Sequence, residues 1–438
     1  MKNVFIILLL MSTIGVSSQT ENVSWNLTRC INYALEKNIS VQQNVLSNET
    51  NKVNVSQIRA SRFPSLNASV SQNFAWNKEA DLNNNYGDYK GTNNTSYSLN
   101  SSVKLYNGFR INNSIRQADL SYEAGKYNIE TIKESVSLNV LDAYLQVLYS
   151  EEQVKNTESQ IEATTNELQL SEERLRLGAI SKSDYLQVKS ELANESLTLA
   201  NARSQLAVNR ISLMQLMELP LTDSFQIEHP VFSIPENINV LSADSIYMIA
   251  LGIKPQIKNM EINKQIAQLD VSIAKAGYLP VLSMNGGLST GYMSGLGTGY
   301  DYQISNKIAP SVGLSLSIPI FQNKQVSSSV AIAKIGTQTA ELDYINTSNQ
   351  LRKSIEQACV NVESAIIQYE ASLESYNSTL ESYNVAQEKY NQGLMNSVDF
   401  IIQKNNLITS ESELLQSKYN LLFSKKILDF YTGIPLTL

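Results

Sequence analysis

Residues 128–175 read NIETIKESVSLNVLDAYLQVLYSEEQVKNTESQIEATTNELQLSEERL. Val140, Val147, Val154, Ile161, Leu168 and Leu175 recur at every seventh position, and Ala143, Ser150, Thr157, Thr164 and Ser171 keep the same period beside them. Bulky residues facing small ones at that repeat predict a tightly packed antiparallel coiled coil. The helix extends over 109–177, roughly 100 Å at 1.5 Å per residue. The register returns about 215 residues later in Ile355, Val362, Tyr369, Tyr376, Tyr383 and Tyr390, with Ala358, Ala365, Ser372, Thr379 and Ala386 beside them. Two seams in one register imply an internal duplication.

Each long helix is followed by a tight turn and a second seam. Leu177-Gly178-Ala179-Ile180-Ser181 leads into Tyr185, Leu192, Leu199, Leu206 and Leu213, with Ala193, Ala200 and Ala207 alongside. The turn over 392–396 leads into Phe400, Leu407, Leu414, Leu421 and Leu428. Upstream of each long helix the period changes from seven to two. Leu66, Ala68, Val70, Gln72, Phe74 and Trp76 alternate with polar residues, as do Tyr97 to Leu105, Leu282 to Leu288 and Val312 to Ile320. These are strands with one apolar face, expected at 65–77, 95–106, 281–292 and 310–321. Polar loops over 77–94 and 291–309 join them in pairs. Pro64 and Pro280 mark matching helix-to-strand joints. Asn26 caps an opening helix that stumbles at 37–39, and the equivalent helix of the second half is interrupted at Pro255. The organisation is therefore a first repeat over 19–220 (ending in a helix 181–219), a connecting segment 221–243, and a second repeat over 244–438 (long helix 325–391, then helix 396–431).

Residues 1–18 read as a secretory signal peptide. Lys2 precedes the apolar run Val4–Leu10, and Val16 and Ser18 fit the positions before a cleavage that leaves Gln19 first. No later stretch is long and apolar enough to span a membrane as a helix. A net charge of −7 and the absence of a dense basic patch argue against a nucleic-acid partner. Tyr outnumbers Phe, 22 to 10, which suits surfaces apolar on one side and wet on the other. Cys30 and Cys359 fit no metal or redox spacing and read as small half-buried residues, with a bridge between them left open. His229, the only histidine, sits beside Pro230 and reads as structural. No catalytic, cofactor or metal constellation is present in the pattern, so an enzyme is not expected.

Four one-sided strands cannot close a barrel alone. Backbone groups left open in hydrocarbon are costly, so closure needs several chains, and three chains of four strands make twelve. Phe74, Trp76, Tyr97, Tyr106, Tyr292 and Phe321 are candidates for the aromatic girdles. The duplication, the Phe63-Pro64 and Leu279-Pro280 joints, and the two tips (Arg174 through Asp184, Tyr390 through Asp399) resemble the TolC-like outer membrane factor family over essentially the whole mature chain. The resemblance implies a mixed α+β homotrimer: a twelve-stranded outer-membrane β-barrel continuous with a periplasmic α-helical coiled-coil tunnel. It implies a passive exit duct for efflux or type I secretion in a Gram-negative bacterium. A periplasmic adaptor would dock on the tips, at Leu177, Gly178, Ala179, Ile180 and Ser181 and at Gly393, Leu394, Met395 and Asn396. An inner-membrane pump of RND or ABC type would supply the energy. It further implies a constriction at Asp184, Tyr390 and Asp399, with Asp184 bonding across to Tyr390 and Asp399 forming an acidic ring. The residues alone leave both aspartates equally readable as helix N-terminal dipole partners. The family's companion arginine falls at Met395 here, and a second acidic position at Ile402. The competing readings are a secreted coiled-coil adhesin stalk and a secreted glycoprotein carrying sites such as Asn22, Asn38 and Asn67. Strands set between the helices argue against the first; glycans on packing seams argue against the second.

Overall fold

The computed structural model describes residues 24–80, 86–220, 225–230 and 241–438; the expected signal peptide and most of the connecting segment lie outside them. In chain order the elements are α1 (Leu27–Lys37), α2 (Ile39–Ala60), β1 (Ser65–Ala80), β2 (Tyr86–Tyr106), α3 (Arg110–Arg176), α4 (Lys182–Leu216), α5 (Ala243–Ile253), α6 (Pro255–Lys275), β3 (Val281–Met293), α7 (Tyr300–Asn306), β4 (Ala309–Ser317), α8 (Gln325–Asn391) and α9 (Ser397–Tyr431). No helix among the described residues is long and apolar enough to cross a membrane.

The stumble in the opening helix is a built joint. Asn38 ends α1 and starts α2: its side-chain oxygen accepts from the Ser40 N–H, while its amide donates to the Leu216 carbonyl at 3.0 Å. The second half makes the same bend at Lys254, where Pro255 takes the first helical position and needs no N–H partner.

The four strands form one antiparallel sheet in the order β1-β2-β3-β4, leaving β1 and β4 as edges. Its register sorts the side chains cleanly. Val70 lies opposite Tyr97, Leu99 opposite Leu288, and Met284 opposite Leu314, all on one face. The other face is hydroxyl and amide. Ser69 and Ser98 bond at 2.7 Å, and Ser71 and Ser96 at 2.6 Å.

Three strand-region expectations need correction. Residues 77–94 are mostly ladder rather than loop, because β1 runs to Ala80 and β2 begins at Tyr86. Once neither face has to be apolar, a hairpin needs no alternation, so the period-two signal disappears while the backbone bonds continue. The 291–309 loop contains α7. Gln303, fully buried, holds it by accepting from the Met293 N–H and donating to the Met293 and Thr298 carbonyls. β4 stops at Ser317, two residues before Pro319, whose ring removes a donor.

The turn from β2 into α3 uses left-handed backbone at Gly108 (φ 65°) and Phe109 (φ 64°). A Cβ on Gly108 would lie 2.8 Å from the Leu279 side chain, so glycine is required on two counts. Asn323 and Lys324 repeat the left-handed step before α8.

In the α3–α4 hairpin the large seam is buried at Val140 and Val147, and toward the tip the small row takes over. The small row Ser150, Thr157, Thr164 and Ser171 is the buried one, while Val154, Ile161, Leu168 and Leu175 are half-buried. Close helix approach explains it: the hydroxyls donate back to the carbonyls of Gln146, Gln153 and Gln160 at 2.8–2.9 Å and so enter the interface already satisfied. In the α8–α9 hairpin the hydroxyls meet directly, Ser372 with Ser417 at 2.6 Å and Thr379 with Ser410 at 2.5 Å. Ala193, Ala200 and Ala207 face outward; Val188, Glu195 and Asn209 face α3 instead.

Two apolar clusters brace the middle of the molecule. One joins α1, α3 and α4 through Cys30, Val140, Leu148 and Leu213; the other joins α5, α6 and α8 through Ile246, Ile257, Ile355 and Val362. Cys30 and Cys359 sit one in each, both buried and unbridged. Burial pushes the Cys30 thiol up to about 12. His229 pairs with Glu151 at 2.9 Å, and Arg210 binds the same carboxylate.

The two sheet faces make opposite predictions for one change. Val70→Arg on the apolar face should cost about 2–4 kcal/mol of stability where that face meets hydrocarbon. Ser69→Arg on the hydroxyl face should leave folding intact. The yield of folded protein in the outer-membrane fraction checks both.

Candidate functional site at the helical tips

The two turns joining the long helices are built alike. Gly178 (φ 74°) and Gly393 (φ 75°) take the left-handed conformation that ends a helix. The N–H of Ala179 returns to the Arg174 carbonyl, and that of Leu394 to the Lys389 carbonyl, each at 2.8 Å. Nothing lies within 4 Å of a Cβ placed on either glycine, so backbone conformation alone demands it. Leu177 and Leu394 are the outermost apolar side chains, 74% and 73% exposed. Ile180 and Met395 are half-buried; Ala179, Ser181 and Asn396 are exposed.

Both aspartates cap the following helix. Ser181 and Asp184 form a reciprocal capping box on α4. On α9 the Asp399 N–H donates to the Asn396 side-chain oxygen and the Asn396 amide returns to the Asp399 carboxylate, both at 2.8 Å. The helix-terminus reading of these residues is therefore realised, and the Asp399 carboxylate stays exposed.

The implied Asp184–Tyr390 bond does not form. The second Asp184 oxygen instead accepts from the Ser397 hydroxyl at 2.5 Å, joining the two tips. This bond, with those from Ser181, holds the Asp184 carboxyl below its ordinary range. Tyr390 is turned away because its ring stacks on Phe400, with centroids 4.6 Å apart and planes within 4°. Its hydroxyl, buried beside Ser171, makes no well-aligned hydrogen bond, and burial raises its pKa. The other hairpin supplies a cation where the family's arginine is missing. The Arg174 guanidinium lies 5.5 Å from the Tyr390 ring and donates to the Asn391 carbonyl at 3.3 Å.

Further up the hairpins lies a group the seam reading missed. Lys404 of α9 enters the space between hairpins, 5% exposed, and pairs with Glu195 at 2.8 Å. Its ammonium also donates to the Thr164 hydroxyl and lies 4.0 Å from Glu167. Burial, the largest cause, raises the Glu167 pKa; Glu195 and Glu191 add to it and Lys404 opposes it. The available signal was Glu195 itself, a charge in a row otherwise holding Val188 and Ala202. Glu152 continues the contact, accepting from Tyr419 at 2.7 Å and pairing with Lys418 at 3.4 Å. The tip arrangement thus fastens two hairpins side by side and presents exposed leucines and a carboxylate at their ends.

Comparison with known proteins gives this architecture its class. The profile of the family described as "Outer membrane efflux protein" matches residues 30–218 and 246–433, one match per repeat. The chain belongs to that family and is an outer-membrane export channel. It is similar to the outer membrane protein TolC of Escherichia coli K12, 23% identical over 369 residues, covering 81% of this chain and 69% of TolC. The fold matches the Campylobacter jejuni CmeC outer membrane channel with a TM-score of 0.78 at 21% identity, covering 94% of this chain and 86% of CmeC. It also matches VceC of Vibrio cholerae with a TM-score of 0.77 at 16% identity, over 93% and 96% of the two chains. The adhesin-stalk alternative is not supported.

The Lys404 group predicts unequal responses. A carboxylate whose pKa is raised on folding is penalised as pH climbs through its ordinary value of about 4.3. Glu167→Gln should therefore leave the hairpins as stable or more stable at pH 7 and flatten that pH dependence. Lys404→Met strands the buried Glu195 carboxylate beside the half-buried Glu167 and should cost roughly 3–5 kcal/mol. Thermal unfolding followed by helix content from pH 4 to 8 separates the two.

Proposed function

We propose that three copies close one twelve-stranded barrel, with the hydroxyl face lining water and the apolar face against outer-membrane lipid. The helical hairpins continue the same passage into the periplasm. The observation that carries this reading is the four-stranded sheet with two unpaired edges and chemically opposite faces. Edges bare in hydrocarbon are not tolerated, whereas threefold closure removes them all.

The duct is passive and docks with a periplasmic adaptor and an inner-membrane pump of RND or ABC type, exporting small molecules or proteins. Leu177, Gly178, Ala179, Ile180 and Ser181, with Gly393, Leu394, Met395 and Asn396, form the adaptor surface. The exposure of most of them at the ends of the hairpins, with Leu177 and Leu394 the most exposed apolar side chains there, supports the assignment. Asp184, Tyr390 and Asp399 form the periplasmic constriction. Asp184 and Tyr390 hold the hairpins together through Ser397 and Arg174, and the exposed Asp399 carboxylates ring the opening and favour cations.

Membrane fractionation tests the assembly. An outer-membrane band at three times the chain mass, collapsing to monomer on boiling, is expected; a monomeric or soluble species would sink the proposal. In planar bilayers Asp399→Asn should lower cation preference, and unchanged selectivity removes Asp399 from the ring. Leu177→Asp with Leu394→Asp should abolish export in a host lacking its own duct while the trimer band persists.

A further inference from the structure

The hydroxyl face of the sheet carries few charges: Lys90, opposite Asn77 far along the hairpin, and Lys104 at the base. Lys104 pairs in register with Ser283 of β3 and therefore stands on the same face as Ser102 and Asn285. Close by, Arg110 opens α3. Both line a cavity of about 850 Å³ where the strands give way to the helices.

The chemistry of this cavity is one-sided. Ser65, Ser102, Ser283 and Asn107 present hydroxyls and an amide around the two cations, and no Asp or Glu lines it. Among the described residues neither Lys104 nor Arg110 forms an ion pair. Their neighbour Arg59, by contrast, is paired with Asp119 at 2.8 Å. The first turn of α3 adds to the same field. Its N-cap, Phe109, provides no side-chain acceptor, and the first turn is met only by the Asn107 side-chain oxygen, which accepts from the Ile111 N–H at a long 3.5 Å, so the positive end of a long helix is weakly capped at the cavity. Two cations without an ion pair, hydroxyl donors and a weakly capped helix start, without a carboxylate, are the makings of an anion site.

We infer that Lys104 and Arg110 form an anion-binding collar inside the duct at the barrel base, with the cavity's hydroxyls completing each pocket. The inference rests on the proposed threefold closure, which brings three copies of the pair around one lumen. The collar takes small multivalent anions bearing phosphate, sulfate or carboxylate groups. It stands at the other end of the helical part of the passage from the Asp399 carboxylates, so the duct meets cargo first with negative and later with positive charge. Because the cations are exposed, their effect depends on ionic strength and fades at high salt.

The test uses purified full-length trimer in planar bilayers of phosphatidylcholine, a lipid without net charge, so any anion effect belongs to the lumen and not to the membrane. Inorganic pyrophosphate is added on the barrel side. It should block the current at 0.1 M KCl and lose most of its effect at 1 M. Lys104→Gln with Arg110→Gln should raise the half-blocking concentration roughly tenfold, as expected for several screened charges acting together, while Lys104→Arg should leave it near wild type. The boil-sensitive trimer band reports assembly of each variant; if the double variant does not assemble, Lys104→Gln alone carries the comparison. A wild-type pore that pyrophosphate does not block, or block unchanged by the Gln variants, overturns the collar and leaves the duct standing. A trimer that conducts nothing overturns the duct and the collar with it.

Discussion

Backbone amides and carbonyls on the outer edges of β1 and β4 have no partner in a single chain, and this one deficit organises the rest of the molecule. In lipid each unpaired group costs several kcal/mol. The sheet therefore needs copies of itself, and an antiparallel order with β1 and β4 at its ends lets the last strand of one chain meet the first of the next. The alternation of faces follows from the same demand. A closed sheet in a bilayer has one apolar environment and one wet one, and a strict period of two is the only strand pattern that serves both. Beyond the alternating stretch the demand lapses, and β1 and β2 continue through Lys78 and Tyr89 without it.

The helices solve a different problem. Each hairpin must be stiff over some tens of ångströms while its outer surfaces remain polar. Burying the small row achieves this. Serine and threonine hydroxyls that donate to their own helix carry no unmet hydrogen-bond demand into the interface, and their size lets the backbones approach closely. Toward the tip the large seam residues Val154, Ile161, Leu168 and Leu175 are left half-buried, with surface still available to further neighbours. That availability suits a wall built from many hairpins better than a self-contained coiled coil would.

How much of this was legible in the sequence depends on whether a feature is periodic. Seams, tips and strand pairs repeat, and the duplication reads each of them twice. Features that depend on a single side chain finding a distant partner have no period. Gln303 organises α7 by bonding backbone ten residues away, inside what reads as a polar loop. Lys404 meets Glu195 and Thr164 across more than two hundred positions. The implied Asp184–Tyr390 bond failed for a related reason. Position by position both residues are in place, but Phe400 offers Tyr390 a stacking surface and Ser397 offers Asp184 a nearer donor. Matching residue types carry over a location, whereas the bond itself depends on competitors nearby.

The duplication is complete in backbone and incomplete in chemistry, and the difference has a consequence. Thr379 meets Ser410 in the second hairpin as two neutral hydroxyls. At the equivalent place in the first, Thr164 and Glu195 receive Lys404 from the other hairpin. The second contact is between hairpins, not within one. A buried ion pair adds little net stability over apolar packing but is costly to break by removing one partner. It therefore resists sliding and separation more than it strengthens the resting state. Arg174 on Tyr390 and Asp184 on Ser397 act at the same boundary nearer the tip. Ion pairs also join α3 to α4 within the first hairpin, Arg203 with Glu158 and Arg210 with Glu151, but the buried Lys404 group and the tip contacts lie where the two hairpins of a chain meet. Motion that opens the passage would then keep each hairpin intact and exchange the polar contacts between them, since those can be remade with water when they part.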